Sequence, residues 1–249
     1  MFLDWRARKQ LVYLGALVLI PLFIGIYFFL RSIPEATCFD NKRNQGEERA
    51  DCGGPCKPCL ENLSEPVVLW TRLFKLAEGV YEVAALIENS HNFAGAERVI
   101  YRAKIYDEAN ILIGLRQGET FINPNEKFLI LEPGFVTSER KPARALIEFE
   151  PIIWSYSSSV PPRVIVVARD FSMEPQPRLA ATLKNEDLFD AEGLQVSAVL
   201  LDEKGTAIGA SLALVERIEG NGQKTISFSW PSLESAPKTI EIFSRKIPK

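Results

Sequence analysis

Residues 105–114 read IYDEANILIG, and residues 200–209 read LLDEKGTAIG. Laid over one another they pair Asp107, Glu108, Ile113 and Gly114 with Asp202, Glu203, Ile208 and Gly209. The match extends outward on both sides. VAALIEN at 83–89 meets LAATLKN at 179–185, Arg72 and Phe74 meet Arg169 and Phe171, and IEF at 147–149 meets IEI at 240–242. The separations stay between 93 (240 less 147) and 97 (169 less 72). A period of that size exceeds any solenoid unit and equals one small sandwich domain, so the sequence reads as two tandem copies, at 64–152 and 163–249.

Within each copy, short blocks rich in Val, Ile, Leu and Phe alternate with turn residues, and no long helical period appears. The expectation is a mainly β chain with about seven strand-sized segments per copy. Asp-Glu-Ala-Asn and Asp-Glu-Lys-Gly are read as hairpin turns in which Asn110 and Gly205 take positive φ. Polar turns are likewise expected at NPNEK (123–127) and GNGQK (220–224). Between the copies, residues 153–162 form a linker stiffened by Pro161 and Pro162, which predicts a short rod.

The order of these blocks resembles the small immunoglobulin-like domains of the FxLYD type, found outside the membrane in prokaryotic envelope proteins. Asn89, Tyr106, Asp107 and Gly114 carry the resemblance in the first copy; Asn185, Leu201, Asp202, Gly205 and Gly209 carry it in the second. It implies two tandem immunoglobulin-like β-sandwiches. Neither copy contains cysteine, so each sandwich would rely on packing alone.

Upstream, Leu11 to Leu30 is a run of twenty residues without a charge. As a helix this covers about 30 Å, the hydrocarbon thickness of a bilayer. It reads as one transmembrane helix that stays as an anchor, because the run is full length and RSIPEAT follows it in place of a small-x-small cleavage site. Flanking charges do not decide orientation: Arg6, Arg8 and Lys9 are matched by Arg31, Lys42 and Arg43. Chain partition and cysteine placement point to residues 1–10 as a cytoplasmic tail and everything after the span as extracytoplasmic, at the cell surface or in the periplasm.

All four cysteines, Cys38, Cys52, Cys56 and Cys59, fall in the predicted stalk at 31–62, a stretch with almost no apolar residues. Outside the cytosol such a segment is held by cross-links, and two disulfides are the leading reading, with three pairings open. Zinc held by four thiolates is the rival, although zinc modules usually carry a second Cys-x-x-Cys pair. Asp40, Asn44, Glu47 and Asp51 form a candidate calcium loop around Gly46, against the alternative that these side chains cap turns. Cys38, Asp40, Asn44, Glu47 and DCGGPCKPC at 51–59 resemble a short cysteine-rich signature of secreted and surface-anchored bacterial and archaeal proteins.

The chain offers little for bond-making chemistry. His91 is the only histidine, in the loop NSHNF, and reads as an exposed loop residue. No nucleophile elbow or phosphate-binding loop is present. Net charge is −3, and residues 1–31 hold four Lys/Arg against one Asp, which leaves −6 on the remainder. Nucleic-acid binding would need the opposite sign. Trp70, Trp154 and Trp230 read as core or interdomain packing. The expected function is a membrane-anchored extracytoplasmic binding or structural protein, recognising a protein or envelope partner without catalysis, nucleic acid or a small-molecule cofactor. An accessory subunit of a membrane secretion or surface-filament complex is the alternative, and a metal-dependent exported enzyme stands behind both.

Overall fold

The computed structural model describes residues 5–31, 38–44, 46–60, 63–137, 140–157 and 161–248. Stalk residues 32–37, 45, 61 and 62 and linker residues 158–160 lie outside the described residues. The chain divides into two compact units, Met1–Cys59 and Leu60–Lys249.

In the first unit, helix α1 runs Trp5–Arg31. It begins ahead of the apolar run because Arg6 to Gln10 contains no helix breaker and continues the same backbone. Its stretch Arg8–Phe29 has mean hydropathy 2.4 and no buried residue, so it is long and apolar enough to cross a membrane by length and composition. Pro21 lies inside it.

Among the described residues the regular elements of the second unit are strands: β1 (Val67–Ala77), β2 (Val80–Asn89), β3 (Ala94–Asp107), β4 (Leu112–Ile122), β5 (Glu126–Val136), β6 (Pro142–Phe149), β7 (Ser155–Tyr156), β8 (Val164–Ser172), β9 (Arg178–Asn185), β10 (Ala191–Leu201), β11 (Ala207–Ile218), β12 (Gln223–Ser229) and β13 (Thr239–Lys246). All pairing is antiparallel. The sheets run β1-β2-β5, β4-β3-β6 with β7 on β3, β12-β9-β8, and β11-β10-β13. The first strand set thus has six strands and the two-residue β7, and the second has six, where about seven each were expected.

Side-chain alternation builds the layers. Val83, Ala85 and Ile87 of β2 and Phe128 and Ile130 of β5 meet Val99, Tyr101, Ala103 and Ile105 of β3 in one core. Leu179, Ala181 and Leu183 of β9 meet Leu194, Val196, Ala198 and Leu200 of β10 in another. A third apolar layer joins the outer side of β1-β2-β5 to β11-β10-β13. There Ala84, Leu129, Trp70, Phe74 and Leu131 meet Val199, Ala207, Ala210, Leu201 and Phe243. The strand sets therefore pack on one another, face to face, through this layer. The layer removes apolar side chains of both sets from water, which is what favours the contact.

The turns follow the residue chemistry. Asp107 N and Asn110 N close the first hairpin onto Ile111 O and Asp107 O, with Asn110 at φ 60°. Asp202 N and Gly205 N do the same onto Thr206 O and Asp202 O, with Gly205 at φ 74°. In each, the aspartate Oδ1 accepts an amide four residues on, Ile111 N at 2.9 Å or Thr206 N at 2.8 Å. The polar turns at 123–127 and 220–224 also need positive φ, at Asn125 (49°) and Asn221 (56°). Gly114 lies where a Cβ would stand 2.7 Å from Ile105 Cγ1, which explains its place beside β3.

Candidate functional site

The cysteine segment closes two interleaved disulfides, Cys38–Cys56 and Cys52–Cys59. No cysteine is free, so the four-thiolate zinc reading has no thiolates to bind with. In the chain-entropy picture, closing loops of 18 and 7 residues removes about 3 and about 2 kcal/mol of unfolded-state freedom, respectively. That is enough to hold a segment with no apolar core.

The predicted calcium residues do come together, and their oxygens serve as turn caps. Asp51 accepts the amides of Asp40 (2.8 Å) and Asn41 (2.9 Å), one on each carboxylate oxygen. Glu47 Oε2 accepts those of Asn44 and Asp51, both at 3.2 Å. Asp40 accepts Lys42 N on Oδ1 and Asn44 Nδ2 on Oδ2. Glu47 is buried, and its Oε1 lies 3.1 Å from Cys56 Sγ, a disulfide sulfur that carries no proton. Asn44 Oδ1 is the one buried side-chain oxygen without a partner among the described residues. The arrangement ties three backbone turns to two cross-links, which is why the segment needs acids at these positions.

His91 is half-buried where the loop reading expects exposure. Its Nε2 lies 3.1 Å from Ser64 O and 3.3 Å from Ser64 Oγ, and its ring packs edge-on against Trp154. Among the described residues no carboxylate bonds to the ring, so this pair fastens residue 64 to the first strand set and lacks the third member of a Ser-His-acid site. Trp230 is buried in the second core, donating from Nε1 to Ala210 O at 2.9 Å. Trp154 packs on the first core and Trp70 on the layer between the sets, as expected for packing residues.

Two charged residues in the seam between the strand sets escaped sequence reasoning. Arg245 of β13 is 7% exposed. It donates to Phe121 O (2.9 Å) and Thr120 Oγ1 (2.9 Å), pairs with Glu126 Oε1 (3.4 Å), and holds Gln195 Oε1 of its own set (2.6 Å). Its guanidinium stacks 3.9 Å from the Phe121 ring and 4.6 Å from that of Phe128. Burial draws its pKa down to about 10, which leaves it charged at neutral pH. Asn123 Nδ2 adds a bond to Lys246 O at 3.0 Å. Nothing local to SRK at 244–246 signals this role, because the partners lie over a hundred residues away.

Glu82, in contrast, did carry a signal: it is an acid inside the strand VYEVAALIEN. It stands opposite Phe74 on β1, and on its other side faces a bulge where β5 carries the extra residue (Pro133 and Gly134 against Glu82); it is 6% exposed, with no hydrogen-bond or ion-pair partner among the described residues. Burial alone raises its pKa to about 7. It lines a cleft of about 660 Å³ between β1-β2 and the segment from β11 to Ser235. No protein-family model matches the chain, and no curated protein matches it.

Proposed function

We propose that this chain is a single-pass membrane protein, N-terminus inside, whose oxidised cysteine segment and strand body lie outside the cytoplasmic membrane. There it presents two tandem immunoglobulin-like domains for recognition of a protein or envelope partner. The observation that carries this reading is the sequence of one apolar helix followed by a segment with every cysteine in a disulfide. Disulfides persist outside the reducing cytosol.

The two-domain reading draws support from matched chemistry as well as matched letters. Asn89 donates from Nδ2 to Ala94 O and Asn123 O, while Asn185 donates to Phe189 O, Ile218 O and Glu219 O. Each Oδ1 then accepts the amide two residues on, His91 N or Asp187 N. The sheet orders β1-β2-β5 and β8-β9-β12 correspond, as do β4-β3-β6 and β11-β10-β13. The cysteine-rich signature fits the same surface location.

The test is topological. Protease added to intact cells or spheroplasts is expected to remove the body and leave the helix. An impermeant alkylating reagent should label the four cysteines only after reductant, with peptide mapping giving Cys38–Cys56 and Cys52–Cys59. A body shielded from external protease, or thiols that react without reductant, overturns the reading.

A further inference from the structure

We propose that the cleft between the two strand sets is a binding site for a basic side chain of a protein partner, with Glu82 as its anion. The cleft is lined by Phe74 and Leu73 on one side and by Ala207, Gly209, Trp230 and Leu233 on the other. These walls suit the methylene stem of a lysine or arginine. Glu82, 6% exposed as a residue, lines the cleft with them. Its carboxylate makes no hydrogen bond or ion pair among the described residues and, unlike Asn44 Oδ1, is not sealed from water. A buried carboxyl without a cation is destabilising, and an entering ammonium or guanidinium would remove that cost.

Charge around the cleft has the matching sign. Glu78, Glu82, Asp202 and Glu234 line it against Lys75 alone, and Lys75 is held by Glu78 at 2.6 Å. Asp202 Oδ1 accepts Lys204 N and Thr206 N within its own turn, Glu78 is paired with Lys75, and Glu234 is exposed, so Glu82 is the carboxyl of the cleft most withdrawn from water. The cleft wall is also held in shape. A Cβ at Gly209 would stand 3.0 Å from Leu233 Cδ2 and 3.1 Å from Trp230 Nε1, so the 230–233 segment sits tightly on β11. The proposal deepens the recognition role and rests on it in taking the partner to be a protein.

The experiment uses the full chain in lipid nanodiscs, labelled with ¹³C at glutamate side chains, and the probe Nα-acetyl-lysine methylamide. At pH 8 the Glu82 carboxyl resonance should shift saturably, and the probe should lower the Glu82 titration midpoint. Nα-acetyl-norleucine methylamide, which lacks the charge, should bind at least tenfold more weakly. Glu82→Gln should also weaken the lysine probe at least tenfold, as should Ser232→Trp, which fills the mouth and leaves the carboxyl in place. No saturable shift, equal binding of the neutral probe, or unchanged affinity in a folded variant overturns the proposal. Each of these outcomes leaves the membrane topology standing, so the two readings fail separately.

Discussion

Replacing Arg245 by alanine tests whether the two strand sets form one mechanical body. The side chain makes four polar contacts, three of them across the seam, and stacks on two aromatic rings of the opposite set. Truncation removes the Arg245 donor from Phe121 O and Thr120 Oγ1, leaving Phe121 O only the longer bond from the Thr120 hydroxyl (3.4 Å), and takes the cation from Glu126. Breaking a buried charge network of this kind costs about 3–5 kcal/mol. Glu126 keeps Asn123 as a donor to both oxygens, which argues for the lower end. With a urea slope of about 2 kcal/mol/M, the unfolding midpoint should fall by roughly 1.5–2 M. Arg245→Met should lose less, because it retains the apolar stem against Phe121 and Phe128. Equilibrium unfolding in urea, followed by hydrogen exchange resolved to individual strands, separates the cases. Protection should drop first at β5 and β13, where the network is anchored. If Arg245→Ala costs under about 1 kcal/mol, or protection falls only within β8–β13, the seam is not held by this residue and the argument fails.

Two further predictions concern buried polar groups. Glu82 has a folded pKa of about 7 against an ordinary value of 4.5. An acid raised in this way destabilises the fold as pH climbs through that interval. Glu82→Gln should therefore match the native chain near pH 4 and exceed it above pH 7 by up to about 3 kcal/mol, less whatever water in the cleft screens. A melting difference that does not grow between pH 4 and pH 8 refutes it. Asn89 and Asn185 each donate into two or three backbone carbonyls at almost complete burial. Alanine at either position should cost about 2–3 kcal/mol, and aspartate more, since a carboxylate would face those carbonyls. Calorimetric midpoints of Asn89→Ala, Asn89→Asp, Asn185→Ala and Asn185→Asp check both the size and the order.

What was legible in the sequence is what depends on neighbours along the chain. The Asp-x-x-Asn/Gly turns need only an acceptor and a residue tolerant of positive φ, and both act within five residues. The disulfide pairing was open because cysteine spacing does not encode which Cβ atoms face one another. Face-to-face stacking was signalled and missed. VAALI at 83–87, FLIL at 128–131 and AVLL at 198–201 are continuous apolar runs, where a strand with one wet face alternates. β2, β5 and β10, together with β11, give buried residues to cores on both sides. Arg245 was unreadable in principle, because its meaning comes from residues 119 to 125 positions away.

The outer faces of the two strand sets differ in chemistry from the faces that meet at the seam. Corresponding faces carry opposite chemistry: β5 turns Leu129 and Leu131 toward the seam, whereas β12 turns exposed Thr225, Ser227 and Ser229 toward solvent. Thr182 and Thr225 satisfy each other there at 3.0 Å. On the far side, where β10 offers Val199 and Leu201 to the seam, β3 offers Arg102 and Lys104, paired with Glu150 and Glu148. Arg144 lies over the Tyr106 ring on that face, 4.5 Å from its centroid. A third layer on either face would have to desolvate those hydroxyls and ion pairs, a cost set against the apolar area of Leu115 and Leu146, opposite Lys104, and of Ile165 and Val167 on β8, all exposed. The seam cleft differs from these faces in that its apolar walls surround a carboxylate, that of Glu82, with no cation beside it among the described residues.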